Sequence, residues 1–295
     1  MPKRTTVLVV GDAFCDVNAG PLDGLPRWGT NTVSPEPILA QPGGAALNVA
    51  SNLQRLRGDV TLFSGIGNDA FGQMLRAHCK KLGVRLLEPA STQGASHPTG
   101  VCMVLSGPQD RAFCSHFGIA DTFDAAELLA RDAEVLRRIT PPLGHVHCSG
   151  FFSCGALRKT LPALLRAARS LGATTSLDTN NDASGQWGAM DGLWHEVLPA
   201  VSLFMPNELE ACAIASVAAD DLGGAIARLV RQVGGRLVVT RGADGALVMC
   251  EKPSDDDGEI DDGGGGGTRV AVRAPKVAAI DPVVTTLGLD PEVAL

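Results

Sequence analysis

The sequence predicts an α/β fold: a central, mostly parallel sheet with helices on both faces, plus a small β-lid. Three observations predict it. Short apolar, β-branched runs alternate with segments of helical periodicity. Glycines stand just beyond the ends of those helical segments, where a left-handed cap is expected. Two segments break the alternation: one is rich in Pro and Gly, and the other alternates as a hairpin does.

Thr6–Val10 is a β-branched apolar run ending at Gly11, and it reads as a buried strand. Ala45–Leu56 places apolar residues at helical spacing and is stopped by Gly58. Val60–Ser64 is the next strand, and Ala70–Leu82 the next helix, with Gly83 just past its end. Strand and helix in this rhythm imply a parallel sheet covered on both faces. The rhythm resumes with a strand at His145–Cys148, a helix at Leu157–Leu171 stopped by Gly172, and a strand at Thr174–Asp178. A helix piece at Leu193–Leu198, a strand at Val201–Met205 and helices at Glu208–Ile214 and Leu222–Val233 follow. Strands at Arg236–Thr240 and Ala246–Cys250 complete the series.

The interruptions are residues 16–42 and residues 99–117. In the second, Val101–Leu105 and Ala112–His116 flank the turn Gly107-Pro-Gln-Asp110. Together they predict a small separate sheet lying as a lid over the carboxyl ends of the main strands, where open α/β sheets bind ligands. Residues 251–267 are acidic and Gly-rich, and predict a flexible connection between two edge strands.

A chain of 295 residues suits a single domain over residues 1–295. Its 45% hydrophobic content supplies a large core. The net charge is −7 and no Lys/Arg block occurs, which argues against a nucleic-acid partner. Of the eight cysteines, Cys102, Cys148, Cys212 and Cys250 lie in or beside apolar stretches, and no CxxC pair suggests zinc. Met1-Pro-Lys-Arg-Thr-Thr runs straight into a strand, and no apolar run approaches the roughly 18 residues of a membrane span. A cytoplasmic protein with no membrane partner is the expectation. The Met and Trp residues read as core, and His145 and His147, on one face of a strand, are given no role.

Several residues carry chemistry. Asp12 and Asp16 follow the first strand, where a carboxylate accepts hydrogen bonds from hydroxyls or merely caps a turn. Gly43 and Gly44 let backbone approach a ligand, and Asn48 in the following helix offers both a donor and an acceptor. Asn207 and Glu210 share a helical face, so Glu210 suits water-mediated Mg²⁺ binding, or the pair forms a capping box. Thr240-Arg-Gly242-Ala-Asp-Gly245 is a Gly-rich turn able to present amides to an anion. Asp178-Thr-Asn-Asn181 ends a neighbouring strand.

From about Gly11 to Pro282 the chain resembles the PfkB, or ribokinase-like, carbohydrate kinases. Gly43-Gly-Ala-Ala-Leu-Asn48, Gly67-Asn-Asp69-Ala-Phe-Gly72 and Pro206-Asn-Glu-Leu-Glu210 stand in that family's order. One departure is Arg57, where the family usually has Gly or Ser, and which a helix C-terminus should tolerate. The resemblance implies ATP-dependent phosphorylation of a sugar hydroxyl. It makes Asp16, with Gly43, Gly44 and Asn48, the sugar site. Asn207, Thr240, Gly242 and Gly245 would line the ATP site, with Glu210 on the Mg²⁺ side. It also suggests a homodimer formed through the lid. The Asn usual near the family's hairpin end is not evident in Gly118-Ile-Ala-Asp121.

The resemblance stops after Thr285-Thr286. The family continues with Gly-Ala-Gly-Asp, whose backbone forms an anion hole and whose Asp is the base. Here Val284 precedes the two threonines and Leu287-Gly-Leu-Asp290-Pro291 follows, so residues 287–295 are atypical and the closing helices are not found. A catalytic residue is therefore not assigned. The expectations are a kinase impaired in this form, a non-catalytic sugar-binding or regulatory relative of one, or, third, a nucleoside kinase.

Overall fold

The structure, a computed structural model, describes residues 5–92, 97–108, 110–187 and 192–249, together with the backbone of 269–272. The large sheet is built from β1 (Thr6–Gly11), β4 (Asp59–Phe63), β5 (Arg85–Leu87), β8 (Leu143–Ser149), β9 (Thr174–Asp178), β10 (Leu203–Phe204), β11 (Arg236–Thr240), β12 (Ala246–Met249) and β13 (Arg269–Val272). Their order is β13-β12-β11-β10-β9-β8-β1-β4-β5. Every pair from β5 to β11 is parallel, and β12 and β13 add an antiparallel edge.

Alternation along β1 sends its side chains to two helical layers. Val9 packs with Leu47, Ala50 and Leu75 of α1 (Ala45–Arg55) and α2 (Ala70–Leu82). Leu8 and Val10 face the larger cluster containing Leu157, Leu161 and Leu164 of α4 (Gly155–Ser170) and Ala211 and Leu229 of α5 (Glu208–Ile214) and α6 (Leu222–Gln232). Each buried leucine of this kind contributes about 1.5–3 kcal/mol over its exposed state.

The second sheet comprises β2 (Phe14–Ala19), β3 (Leu39–Gly43), β6 (Gly100–Ser106) and β7 (Arg111–His116), in the order β3-β2-β6-β7. It matches the predicted lid, except that the first strand begins at Phe14, two residues before the expected boundary. Gly11 marks the step between sheets: its φ is 149°, and a Cβ there would lie 1.8 Å from the Ser149 carbonyl oxygen.

The sequence reading missed β5 and the helical segment α3 (Ala126–Arg137). Ala130–Ala133 leave helical geometry inside α3, so no continuous period shows in the sequence. The Leu193–Leu198 piece is a single wide turn over Leu193–Val197 followed by a short 3₁₀ turn. The core assignment of Trp28 and Met103 is overturned. Trp28 is fully exposed in the irregular 20–38 stretch and Met103 is 46% exposed, because neither lies on a strand face that another layer covers. Cys250, the acidic 251–267 segment and residues 273–295 lie outside the described residues.

Four helices end in the same way, and the glycines predicted as stops account for only two. Gly83 and Gly172 adopt left-handed φ values of 78° and 83°. The next residue's amide then reaches back five residues, Val84 to Cys79 O (2.9 Å) and Ala173 to Ala168 O (3.1 Å). Arg57 (φ 61°) and Ser216 (φ 53°) do this without being glycine. Gly58 N donates to Leu53 O and Val217 N to Cys212 O. Arg57 is thus tolerated at the end of α1, as expected, at a conformational cost of roughly 1 kcal/mol.

Candidate functional site

The predicted residues gather along the carboxyl edge of the large sheet. β1 delivers Asp12, and the chain then enters β2 with Asp16. β3 ends in Gly43, and Gly44 opens α1. β9 ends in Asp178, Asn207 after β10 caps α5, whose first turn holds Glu210, and β11 runs into Thr240-Arg-Gly-Ala-Asp-Gly245.

Asp12 is 3% exposed, and it serves the helix. Gly44 brings no capping side chain to α1, and Asp12 Oδ1 accepts the Ala46 amide at 3.1 Å instead. Its backbone oxygen accepts the Leu47 amide at 3.2 Å. Burial pushes the Asp12 carboxyl up to about 6, against hydrogen bonds from Ala46, Ser153 and Ala45. Gly150 (φ 76°) makes room behind it, since a Cβ there would lie 2.5 Å from the carboxylate. Gly150 itself is held by its amide to Asn180 Oδ1 at 2.8 Å. The sequence reading did not single out Gly150; the visible signal was Ser149-Gly150 at the end of a strand.

Asp16 is half-buried, and its carboxylate accepts no hydrogen bond from the described residues. Burial, then the charge of Asp12, pushes it up to about 6 as well. It lies over Gly43, where a Cβ would stand 2.0 Å from its Oδ2. Gly44 (φ 92°) would in turn set a Cβ 2.7 Å from the Phe14 amide nitrogen. The backbone contact requires glycine at Gly44, whereas at Gly43 the obstacle is the Asp16 side chain. Asn48, in the first turn of α1, is exposed.

Asp69 connects the two sheets. It caps α2 through Gly72 N (2.8 Å) and accepts both the amide and the hydroxyl of Thr99 at 2.7 Å, at the start of β6. Burial opposes its charge, but the bonds from Gly72, Thr99 and Phe71 outweigh burial and hold the carboxyl below its usual range.

On the other side, Asn207 and Glu210 form a complete capping box: Glu210 N donates to Asn207 Oδ1 (2.9 Å) and Asn207 N to Glu210 Oε2 (3.0 Å). Glu210 is pushed up by burial and, after the opposing Asn207 amide, by the charge of Asp178. Asp178 is itself raised by burial, offset in part by the Asn180 amide. Thr240 is exposed and pairs with Asn207 through a parallel bridge. Gly242 and Gly245 have φ of 52° and 87°, and nothing stands within 4 Å of the space a Cβ would take at Gly242. Arg241 Nε donates to Glu208 Oε1 at 2.8 Å, bracing this turn on α5.

His145 and His147 share the Ser176 hydroxyl, at 2.6 and 2.7 Å, so they lie on one face as predicted. Two grooves lie elsewhere, along the 21–35 stretch beside Leu105–Ala112, and neither is lined by the candidate site residues.

The sequence profile of the pfkB family carbohydrate kinases matches residues 4–283. The chain belongs to this family. Among curated relatives, the bifunctional protein HldE of Azotobacter vinelandii is 30% identical over 264 residues, covering 84% of this chain and 50% of that protein. The uncharacterized sugar kinase YeiI of Escherichia coli is 29% identical over 117 residues, 40% of this chain and 28% of that protein. This pfkB chain therefore spans half or less of the length of these relatives. Among solved structures, a fructokinase from Xylella fastidiosa with bound ATP superposes with a TM-score of 0.64 at 22% identity, covering 84% of this chain and 75% of that one. An Escherichia coli protein described as a ribokinase II, in complex with ATP and Mg²⁺, gives 0.69 at 19% identity, with 97% and 83% covered. At these identities the structural likeness establishes the ribokinase-like fold.

Proposed function

We propose that this pfkB-family chain binds a sugar between Asp16 and the Gly43-Gly44 turn and ATP along Asn207 and the Thr240–Gly245 turn, for phosphoryl transfer to a sugar hydroxyl. The observation that carries the sugar half is Asp16, a half-buried carboxylate to which no described residue donates a hydrogen bond. A carboxylate in that state is stabilised by donors that a ligand brings, and sugar hydroxyls are such donors. Asn48 stands one helical turn from Gly44, exposed and able both to donate and to accept.

The nucleotide half rests on chemistry that fits. Gly242 leaves backbone open to phosphate oxygens, with nothing within 4 Å of its Cβ position, while the Gly245 amide donates to Gly242 O at 3.1 Å and closes the turn. Asp178 and Glu210 supply neighbouring carboxylates, the hard oxygen donors that Mg²⁺ takes, usually through water. One Glu210 oxygen is engaged by the Asn207 amide, which leaves the other to hold a metal-bound water. Asp178 and Glu210 would hold Mg²⁺, which when bound would supply positive charge against the phosphates. Asn207 and the Thr240–Gly245 turn would fix the phosphates in line with the sugar, since phosphoryl transfer depends mainly on positioning and electrostatics.

A second reading is favoured by the residues after Thr285-Thr286. Leu287-Gly-Leu-Asp-Pro supplies neither a Gly-Ala-Gly turn nor the Asp that would take the hydroxyl proton. A positioned base is worth about 10²–10⁴ in rate, and one donor to developing charge about 10²–10³. On this second reading the protein is a sugar binder with little turnover. Association of two copies through the second sheet, where Met103 is exposed on the face away from Asp16, is what sedimentation would measure.

The test is calorimetry with ribose and fructose, alongside ATP turnover. Sugar binding that Asp16→Ala weakens by about 1.5–3 kcal/mol supports the sugar half. Affinity unchanged in Asp16→Ala removes Asp16 from the site. Turnover at ordinary kinase rates, roughly one per second or more, overturns the second reading.

A further inference from the structure

We propose that the cross-strand row Gln41–Asp16–Cys102–Ser115, on one face of the second sheet, is a specificity wall that selects an uncharged polyol over a phosphorylated or carboxylated sugar. The inference rests on the sugar-site reading of Asp16 above.

The register builds the row. Asp16 pairs with Gln41 of β3 and with Cys102 of β6, and Cys102 pairs with Ser115 of β7. Residues paired across strands point to the same face, with Cβ atoms about 4.5–5.5 Å apart. One line of four side chains therefore crosses the whole sheet through Asp16. Gln41, Asp16 and Cys102 are half-buried and Ser115 is exposed, so the line is open to a ligand.

The chemistry along the line is graded. The Gln41 amide both donates and accepts, whereas the Asp16 carboxylate only accepts. The Ser115 hydroxyl donates to Cys102 Sγ at 3.2 Å, which commits its proton and leaves its lone pairs free to accept. The thiol between them is a soft, compact surface. Hydroxyls can satisfy every member of this set.

An anionic group cannot. The flanking rows on the same face, Gly43–Phe14–Gly100 and Leu39–Asn18–Val104–Phe113, contain no cation. Arg111 lies at the far end of β7, over the Phe113 ring at 5.7 Å. The charged group that acts on Asp16 is Asp12, and both carboxylates also act on Cys102. Among the described residues, a phosphate held against this row meets two acids and no counter-charge. The wall thus discriminates by repulsion as well as by fit.

The experiment is titration calorimetry of the full chain near neutral pH with fructose, ribose, fructose 6-phosphate and ribose 5-phosphate. The neutral sugars should bind at least about tenfold more tightly than their phosphates. Asp16→Asn should narrow that gap. Cys102→Phe should reduce neutral-sugar affinity by about tenfold or more with an unchanged unfolding midpoint. Should Cys102→Phe fail to fold, alkylation decides. In a Cys114→Ser background, which removes the exposed thiol on the opposite face, a neutral sugar should slow iodoacetamide modification of Cys102. Phosphorylated sugars binding as tightly as neutral ones, or neutral sugars binding equally to Cys102→Phe or failing to protect Cys102, would overturn the wall and leave Asp16 in the sugar site. If wild type binds none of the four, the sugar-site reading falls with it.

Discussion

Asp12 and Asp16 lie four residues apart on either side of the step between the two sheets, and burial pushes both carboxyls up to about 6. Each also has a glycine that makes room for it, Gly150 for Asp12 and Gly43 for Asp16. Their partners differ. Asp12 receives the Ala46 amide at the start of α1, while Asp16 receives nothing from the described residues. The same residue type is thus structural in one place, where it is fully buried, and left without a donor in the other, where it is half-buried. What separates them is whether the fold has already filled the acceptor.

The largest expected effect strikes the Asp12 side. Asp12→Ala leaves helix amides without an acceptor inside the core and should lower stability by about 2–4 kcal/mol in denaturant titration. Gly150→Ala, at φ 76° and with its Cβ against the same carboxylate, should be of similar size. Asp16→Ala should leave the denaturant midpoint unchanged or raised, because it removes a buried charge that lacks a partner. A large stability loss in Asp16→Ala would erase the distinction between the two acids.

Next in size is sugar affinity. Gly43→Ala drives a methyl into the Asp16 carboxylate, a movable side chain rather than backbone, so affinity should fall by about 1.5–3 kcal/mol while the fold persists. Calorimetry set beside thermal unfolding separates the two outcomes.

The pH dependence sharpens the contrast further. Sugar hydroxyls need the charged form of Asp16, whose free carboxyl titrates near 6. Affinity should therefore decline as pH falls through 6, by roughly tenfold per unit below it, and should be flat in Asp16→Asn. Stability runs the other way. A raised carboxyl takes up its proton in the folded state before the unfolded one, so lowering pH from about 6 toward 4 relieves the burial penalty of both acids. His147, pushed down to about 4 by burial, opposes this, because the unfolded chain is protonated first below its ordinary value of 6.5. Comparing Asp16→Asn with wild type over that window isolates the contribution of Asp16.

The smallest test leaves both acids alone and alters the far end of α1, the helix that Asp12 caps. Arg57→Gly should stabilise by about 0.5–1 kcal/mol in denaturant titration by relieving its left-handed backbone. Sugar affinity should not move.

Much of this architecture was legible in the sequence, for a physical reason in each case. Ala70–Leu82 with Gly83, Thr174–Asp178, Glu208–Ile214 and Arg236–Thr240 were read to the residue, because local period and a cap or breaker agree there. The broken segment Ala126–Arg137 was not, since no single period runs through it, and Trp28 was misplaced because composition does not reveal which surface another layer covers. The site divides along the same line. The sequence by itself determined that acids, paired glycines and an Asn-x-x-Glu step would lie at strand ends. Only the tertiary structure decided that Asp12 is taken up by the helix while Asp16 accepts nothing from the described residues, that Gly150 stands behind one and Gly43 beneath the other, and that Cys102 stands beside Asp16. Those relations join residues distant in the chain, and they are set by strand register and close approach, which no local pattern encodes.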